Sequence, residues 1–235
     1  MKTIFKPKIC ISIAEESTEK ALASARKMEK QADVLEIRLD SLPCPETTPF
    51  LEGLSTPLLF TNRPRWEGGH FSGEEKERIR PLLEAINKNT SFIDIELNTD
   101  SFYKEKVLSK ARGKRTKSII SWHNFQYTPP LEELYSILGR QMTSGADIGK
   151  IVTMARDPVD VLQVLYLQTK AHEKKFFLIA FCMGEAGRIS RLATLELGGF
   201  MTYAAPGSLK NTAPGQLTVN EINRGLEIIR NENRR

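Results

Sequence analysis

A parallel (β/α)8 barrel is the fold class the sequence predicts, and three observations predict it. Eight short runs rich in Ile, Val, Leu and Phe recur along the 235 residues, spaced some two to three dozen residues apart. Helix-like segments separate most of them, and such near-continuous apolar strands alternating with helices indicate a parallel sheet covered on its faces. The length suits one α/β barrel with a single sizeable core. An open doubly wound sheet is the alternative, although no GxGxxG follows the first strand.

The strands are read in order as "KICISI" (8–13), "VLEIRL" (34–39), "LLFTNR" (58–63), "FIDIEL" (92–97), "SIISWH" (118–123), "IGKIVTM" (148–154), "FFLIAFCM" (176–183) and "FMTYAA" (200–205). Between the first two, "TEKALASARKMEK" sets Leu22, Ala25 and Met28 on one helical face. "DPVDVLQVLYLQTK" opens with Asp157 as a cap and Pro158 at the first helical position. The last helix, from about Gln216, carries Val219, Ile222, Leu226 and Ile229 at helical spacing. No linker or composition shift splits the chain, so residues 1–235 are expected to form one catalytic barrel domain.

Composition narrows the function. The chain is 40% hydrophobic and 27% charged with net charge +5, and its basic residues are scattered rather than striped with aromatics. Nucleic acid is therefore not an expected partner, while a mildly positive surface suits a small anionic substrate. No apolar run reaches the length of a membrane span and the start has no signal-peptide pattern. Three scattered cysteines, Cys10, Cys44 and Cys182, give no disulfide framework or zinc pattern and fit a reducing cytoplasm. His70, His123 and His172 lack metal-ligand spacing, and neither metal nor cofactor is expected.

In such barrels catalytic groups sit at the C-terminal ends of the strands. Those ends carry Glu36, Arg38 and Asp40; Arg63 followed by Glu67; Asp94 and Glu96; His123; Lys150; and Met183 followed by Arg191. Lys150 stands out, because Ile148, Ile151 and Val152 surround it in an apolar strand and a lone buried ammonium is costly. It either snorkels to the mouth and pairs with Glu36 or Asp94, or acts as a nucleophile. Glu36 and Arg38 share a strand face and would also suit a structural ion pair. Arg188 and Arg191 would also suit solvated helix positions. Taken together, a lysine, a histidine, carboxylates and arginines read as Schiff-base chemistry on a small keto acid. The amine forms an iminium that acidifies the adjacent carbon, the imidazole moves the proton, a carboxylate orients the imidazole and arginine holds the substrate carboxylate. Another Schiff-base aldolase or transaldolase on a barrel is the rival; such enzymes favour a Gly-rich phosphate site, whereas "EAGRISR" and "APGSL" hold single glycines.

Six motifs in this order, "LEIRLD", "FTNRPRWEGG", "IDIEL", "SWHNF", "GADIGKIVTM" and "ISRLA…TAPGQ", resemble type I 3-dehydroquinate dehydratase over essentially the whole chain. The resemblance implies cofactor-free dehydration of 3-dehydroquinate to 3-dehydroshikimate, a hydro-lyase step of the shikimate pathway. It implies that Lys150 forms the imine with the C3 ketone, that His123 is the general acid and base, and that Glu67 pairs with that histidine. Ser12, Glu36, Arg38, Arg63, Arg191, Thr212 and Gln216 match substrate-binding or site-organising positions, with Arg191 on the substrate carboxylate and "TAPGQ" as a lid. Met183 and Tyr203 are expected as pocket walls. Thr212 stands where serine is usual, Tyr203 where an apolar aromatic is common, and Arg188 where a small or apolar residue is usual. The family's hairpin under the barrel is expected to be short or absent here. A homodimer, or fusion to shikimate dehydrogenase, is also known among such proteins.

Overall fold

A computed structural model describes residues 6–207 and 214–230. Nine parallel strands form one curled sheet in the order β7-β6-β5-β4-β3-β2-β1-β8-β9. The strands are β1 (Lys8–Ile13), β2 (Val34–Arg38), β3 (Leu58–Thr61), β4 (Phe92–Glu96), β5 (Lys117–His123), β6 (Ile148–Met154), β7 (Phe177–Met183), β8 (Met201–Ala205) and β9 (Leu217–Thr218). Between β7 and β8 the curl is closed by Phe200, whose N–H donates to the Leu178 carbonyl at 2.8 Å and whose carbonyl accepts from Lys8 at 3.1 Å. The eight expected strands are all present. The ninth is a two-residue addition beside β8, with Ala204 opposite Leu217.

The helices are α1 (Thr18–Met28), α2 (Thr48–Gly53), α3 (Glu75–Asn87), α4 (Ser101–Arg112), α5 (Leu131–Thr143), α6 (Pro158–Glu173), α7 (Arg188–Glu196) and α8 (Val219–Arg230). Asp157 caps α6 as expected, accepting from Val159 and Asp160 at 2.8 and 3.1 Å, with Pro158 in the first turn. The last helix begins at Val219 rather than Gln216, because residues 217 and 218 are spent on β9. Its apolar stripe also stops early: Val219, Ile222 and Leu226 are buried, but Ile229 is exposed. In α1 the buried face centres on Ala21 and Ala25, with Leu22 and Met28 packing at its edges. No helix among the described residues is long and apolar enough to cross a membrane.

Strand periodicity divides the core in two. Residues such as Ile9, Ile11, Ile13, Leu35, Ile37, Phe60, Ile93 and Ile95 face outward and pack under the helices. The alternate positions point into the barrel. Cys10, Val34, Leu59, Phe92, Ile119, Ile148, Ile179 and Met201 fill its lower part. Two residues further along each strand the inward position is polar on six of the eight: Ser12, Glu36, Thr61, Asp94, Ser121 and Lys150, with Phe181 and Tyr203 completing the ring. Among the described residues no hairpin precedes β1. Aromatic rings pack at the lower end of the barrel. Phe200 stands edge-on to Phe92 at 6.0 Å and to the exposed Phe177 at 5.3 Å between ring centroids.

Candidate active site

The polar ring and the layer above it form the floor of a cleft at the C-terminal ends of the strands. The space within the cleft and its open mouth together is about 570 Å³. Lys150 lies on its floor, 4% exposed. Its ammonium donates to Asp94 Oδ2 at 3.0 Å and contacts the Tyr203 hydroxyl at 3.1 Å, with Glu36 Oε1 at 3.9 Å. The buried lysine is therefore paired with carboxylates and a phenol, and the polar atoms bonded to it are not guanidinium groups.

Glu36 is a fixed acceptor: Ser12 Oγ donates to one oxygen at 2.5 Å and Thr61 Oγ1 to the other at 2.8 Å. Arg38 does not pair with it, contrary to one reading of their shared strand face. Its guanidinium is held bidentately by Asp40, at 2.8 and 2.6 Å, because the turn at Leu39–Ser41 brings that carboxylate back over the strand end. Burial pushes Arg38 down, but Asp40 outweighs it and the guanidinium stays above its ordinary value.

Arg63 organises the floor. Its Nη1 donates to Glu96 Oε1 at 2.7 Å and Ser121 Oγ at 2.6 Å, and its Nη2 donates to Asp94 Oδ2 at 2.9 Å. Glu96 is shared with Arg78, at 2.5 Å, a fully buried arginine of α3. Burial alone would raise Asp94, yet Arg63, then Lys150 and His123, hold it well below the usual carboxylate range. Removing Arg63 strands two buried acids with one cation fewer. Arg63→Met is expected to lose about 3–5 kcal/mol of stability, the usual result of leaving buried charge uncompensated. Urea unfolding measures this, and a loss below about 1 kcal/mol would contradict the network described.

His123 Nδ1 lies 2.9 Å from Glu67 Oε2, which leaves Nε2 for the cleft that the ring lines. Burial, then the nearby Arg63 and Lys150 cations, pushes the imidazole well below its ordinary value. Burial also pushes the Glu67 carboxyl well up, against the pull of Arg63 at 3.6 Å. Both directions keep net charge off the pair; the tautomer in which Nδ1–H donates to Glu67 is the one that leaves the outer nitrogen free to act as a base. The ring is stacked on Phe125, with centroids 6.0 Å apart and planes at 19°. Gly68, at φ +73°, makes that possible, since a Cβ there would stand 2.4 Å from the Phe125 ring.

Arg191 on α7 is not a solvated helix residue: it is 1% exposed and lines the cleft. Its guanidinium lies 4.6 Å over the Phe181 ring and, among the described residues, donates to the Tyr203 and Pro214 carbonyls, at 3.4 and 3.3 Å. Among the described residues its Nε has no hydrogen-bond acceptor and no carboxylate pairs with it. Burial pushes it down to about 10, so it remains a cation at neutral pH. Arg188, by contrast, is a half-buried helix start paired with Glu185 and Glu221, both at 3.5 Å, outside the cleft lining.

Eleven of the twelve expected site residues line this cleft, including Met183, Tyr203 and Gln216; Thr212 lies outside the described residues. Asp94 and Glu96 lie beneath it as partners of Lys150 and Arg63. Gly215, at φ +70°, lets the chain before Gln216 press on the turn after β7: a Cβ there would meet the Gly184 carbonyl at 2.3 Å. Sequence reasoning passed over Phe125, Gly68, Val152 and Phe181 in the lining, and Thr61 and Ser121 in the floor. Strand parity was the available signal for Thr61, Ser121, Val152 and Phe181.

The family model for type I 3-dehydroquinase matches residues 9–233. A 3-dehydroquinate dehydratase of Desulfotalea psychrophila is 41% identical over 219 residues, covering 93% of this chain and 96% of that protein. A chloroplastic bifunctional 3-dehydroquinate dehydratase/shikimate dehydrogenase of Arabidopsis thaliana is 36% identical, over 91% of this chain and 36% of its own length. Among solved structures, a type I 3-dehydroquinate dehydratase of Clostridium difficile with covalently modified comenic acid superposes with TM-score 0.88 at 30% identity, covering 97% of this chain and 94% of that one. A Vibrio cholerae 3-keto-L-gulonate-6-phosphate decarboxylase shares the fold at TM-score 0.60 and 12% identity.

Proposed function

This chain belongs to the type I 3-dehydroquinase family, and from that premise we propose that it dehydrates 3-dehydroquinate to 3-dehydroshikimate through an imine on Lys150. The observation that carries the proposal is a single cleft holding a buried amine, a histidine held in its base form and a buried arginine with no carboxylate partner among the described residues. An unpaired buried cation at the rim suits a substrate carboxylate, which would supply the missing charge and accept from the guanidinium. The covalently modified comenic acid of the Clostridium difficile relative is consistent with a site that forms covalent adducts.

The substrate carboxylate binds Arg191, which directs its C3 ketone toward Lys150. The amine adds and water leaves, giving an iminium that draws electrons from C2. His123 takes a C2 proton through Nε2, with Glu67 supporting the charge it acquires. The same imidazole returns a proton as the C1 hydroxyl leaves, and hydrolysis then frees the product. Glu36, Ser12 and Arg38 take the ring hydroxyls, Arg63 holds the floor, Met183 walls the pocket, and Gln216 lies against the substrate. The three free thiols suit a reducing cytoplasm.

The direct test follows absorbance of the conjugated enone product with purified protein and 3-dehydroquinate. A rise at micromolar enzyme is expected, and none would reject the dehydratase reading. Arg191→Met is expected to raise KM by roughly 10–100-fold, the worth of a charge-assisted contact of about 1.5–3 kcal/mol. An unchanged KM would remove Arg191 from carboxylate binding.

A further inference from the structure

We infer that Tyr203 is a further catalytic residue of the reaction proposed above, its hydroxyl carrying a proton from the Lys150 nitrogen to the ketone oxygen as the imine forms. The inference rests on that reading and extends it to a group whose expected part was that of a pocket wall.

The geometry singles out this hydroxyl. It lies 3.1 Å from Lys150 Nζ, and the ammonium also lies 4.2 Å from the centroid of its ring. The other groups around the amine are committed. Asp94 accepts from Arg63 at 2.9 Å and from Ser121 at 2.5 Å besides the lysine. Glu36 stands at 3.9 Å with both oxygens taken by Ser12 and Thr61. A carboxylate can accept a proton but has none to give, whereas a phenol accepts and donates at one oxygen. His123 is engaged by Glu67 through Nδ1 and serves the C2 proton, and the resemblance also gives it a part in imine formation, which Tyr203, in direct contact with the amine, would share.

Tyr203 is also fixed where a relay must be. It is buried, its ring packs on Phe181 with centroids 6.0 Å apart, and its carbonyl accepts from Arg191 at 3.4 Å. One residue therefore braces both the amine and the carboxylate binder. Burial, then the charge of Glu36, pushes its phenol well above the ordinary value, so the hydroxyl keeps the proton a relay needs.

The proton count closes without an added reactant. Counted from the ammonium, the nitrogen carries three protons and the iminium nitrogen one. The C–N bond forms, the C–O bond breaks, and the two protons shed by nitrogen are the two that oxygen needs to leave as water. The positive charge remains on nitrogen and nothing is oxidised or reduced. Tyr203 takes a proton from nitrogen on its oxygen while giving its own to the ketone oxygen, and ends unchanged. Hydrolysis runs the same path backward.

Tyr203→Phe keeps the ring and removes only the hydroxyl. Rapid-quench borohydride trapping with 3-dehydroquinate reads the rate of imine formation directly. The variant is expected to form the adduct about a hundredfold more slowly, at the low end of general acid–base effects. Its affinity for the ketone-free alcohol analogue of the substrate is expected to match the parent within about twofold. The parent's trapping rate is expected to slow in deuterium oxide, which needs no variant. A trapping rate within about twofold of the parent, or no solvent isotope effect on the parent's trapping, would overturn the relay. Absence of any adduct on an active parent would instead reject the underlying imine reading.

Discussion

Lys150→Met is expected to abolish turnover, by roughly 10⁴–10⁶-fold, the range seen when a covalent nucleophile is removed, while the barrel still folds and loses less stability than in Arg63→Met. The activity half follows from the placement of the amine on the cleft floor, where it is the group that would bond to the substrate. The stability half follows from its partners. Asp94 keeps Arg63 and Ser121 when the lysine is gone, and Glu36 keeps Ser12 and Thr61. No buried acid is left without a donor, so the penalty of about 3–5 kcal/mol for removing one partner of a buried ion pair is only partly incurred. Steady-state assay and thermal unfolding read the two halves. A variant retaining a tenth of parental turnover would end the nucleophile role. A large loss of stability would show that Asp94 depends on Lys150 rather than Arg63.

His123→Ala is expected to lower turnover by about 10²–10⁴-fold while still accumulating some trapped imine, because the amine and its partners are untouched. Glu67 retains Arg63 at 3.6 Å, so the loss should fall on chemistry more than on folding. The parent's pH profile is a linked test. Burial with the Arg63 and Lys150 cations depresses His123, so protonation of the base begins only below the ordinary imidazole value of 6.5. The acid limb of kcat/KM for the parent is therefore expected below that value and is expected to be absent in the variant. Near-parental turnover by the variant would remove His123 from the role.

The barrel was legible because its strands are written twice. Outward positions such as Ile9, Ile11 and Ile13 are apolar to meet helices, and the lower inward positions such as Cys10, Leu59 and Ile148 are apolar to fill the interior. A polar residue on such a strand has only the mouth to face, which is why Glu36, Asp94, His123 and Lys150 could be read as site residues from strand position alone. The pairings among them were not legible. Whether Arg38 meets Glu36 or Asp40 depends on a turn that brings Asp40 back over β2, and strand parity carries no information about turns. Ser121 and Thr61 were overlooked although they obey the same parity, because short hydroxyls draw notice only once the carboxylates they fix are located. Phe125 was overlooked because its contact needs the space left by Gly68 on a different loop. The late start of the last helix had a similar cause, since β9 forms only when β8 is there to pair with it.

The central claim is a covalent bond between Lys150 and the substrate. Borohydride reduction of the protein in the presence of 3-dehydroquinate, followed by peptide mass analysis, tests it most directly. One stable adduct is expected on the peptide containing "IGKIVTM", at Lys150. An adduct on another lysine, or none in an enzyme that turns over, would contradict it.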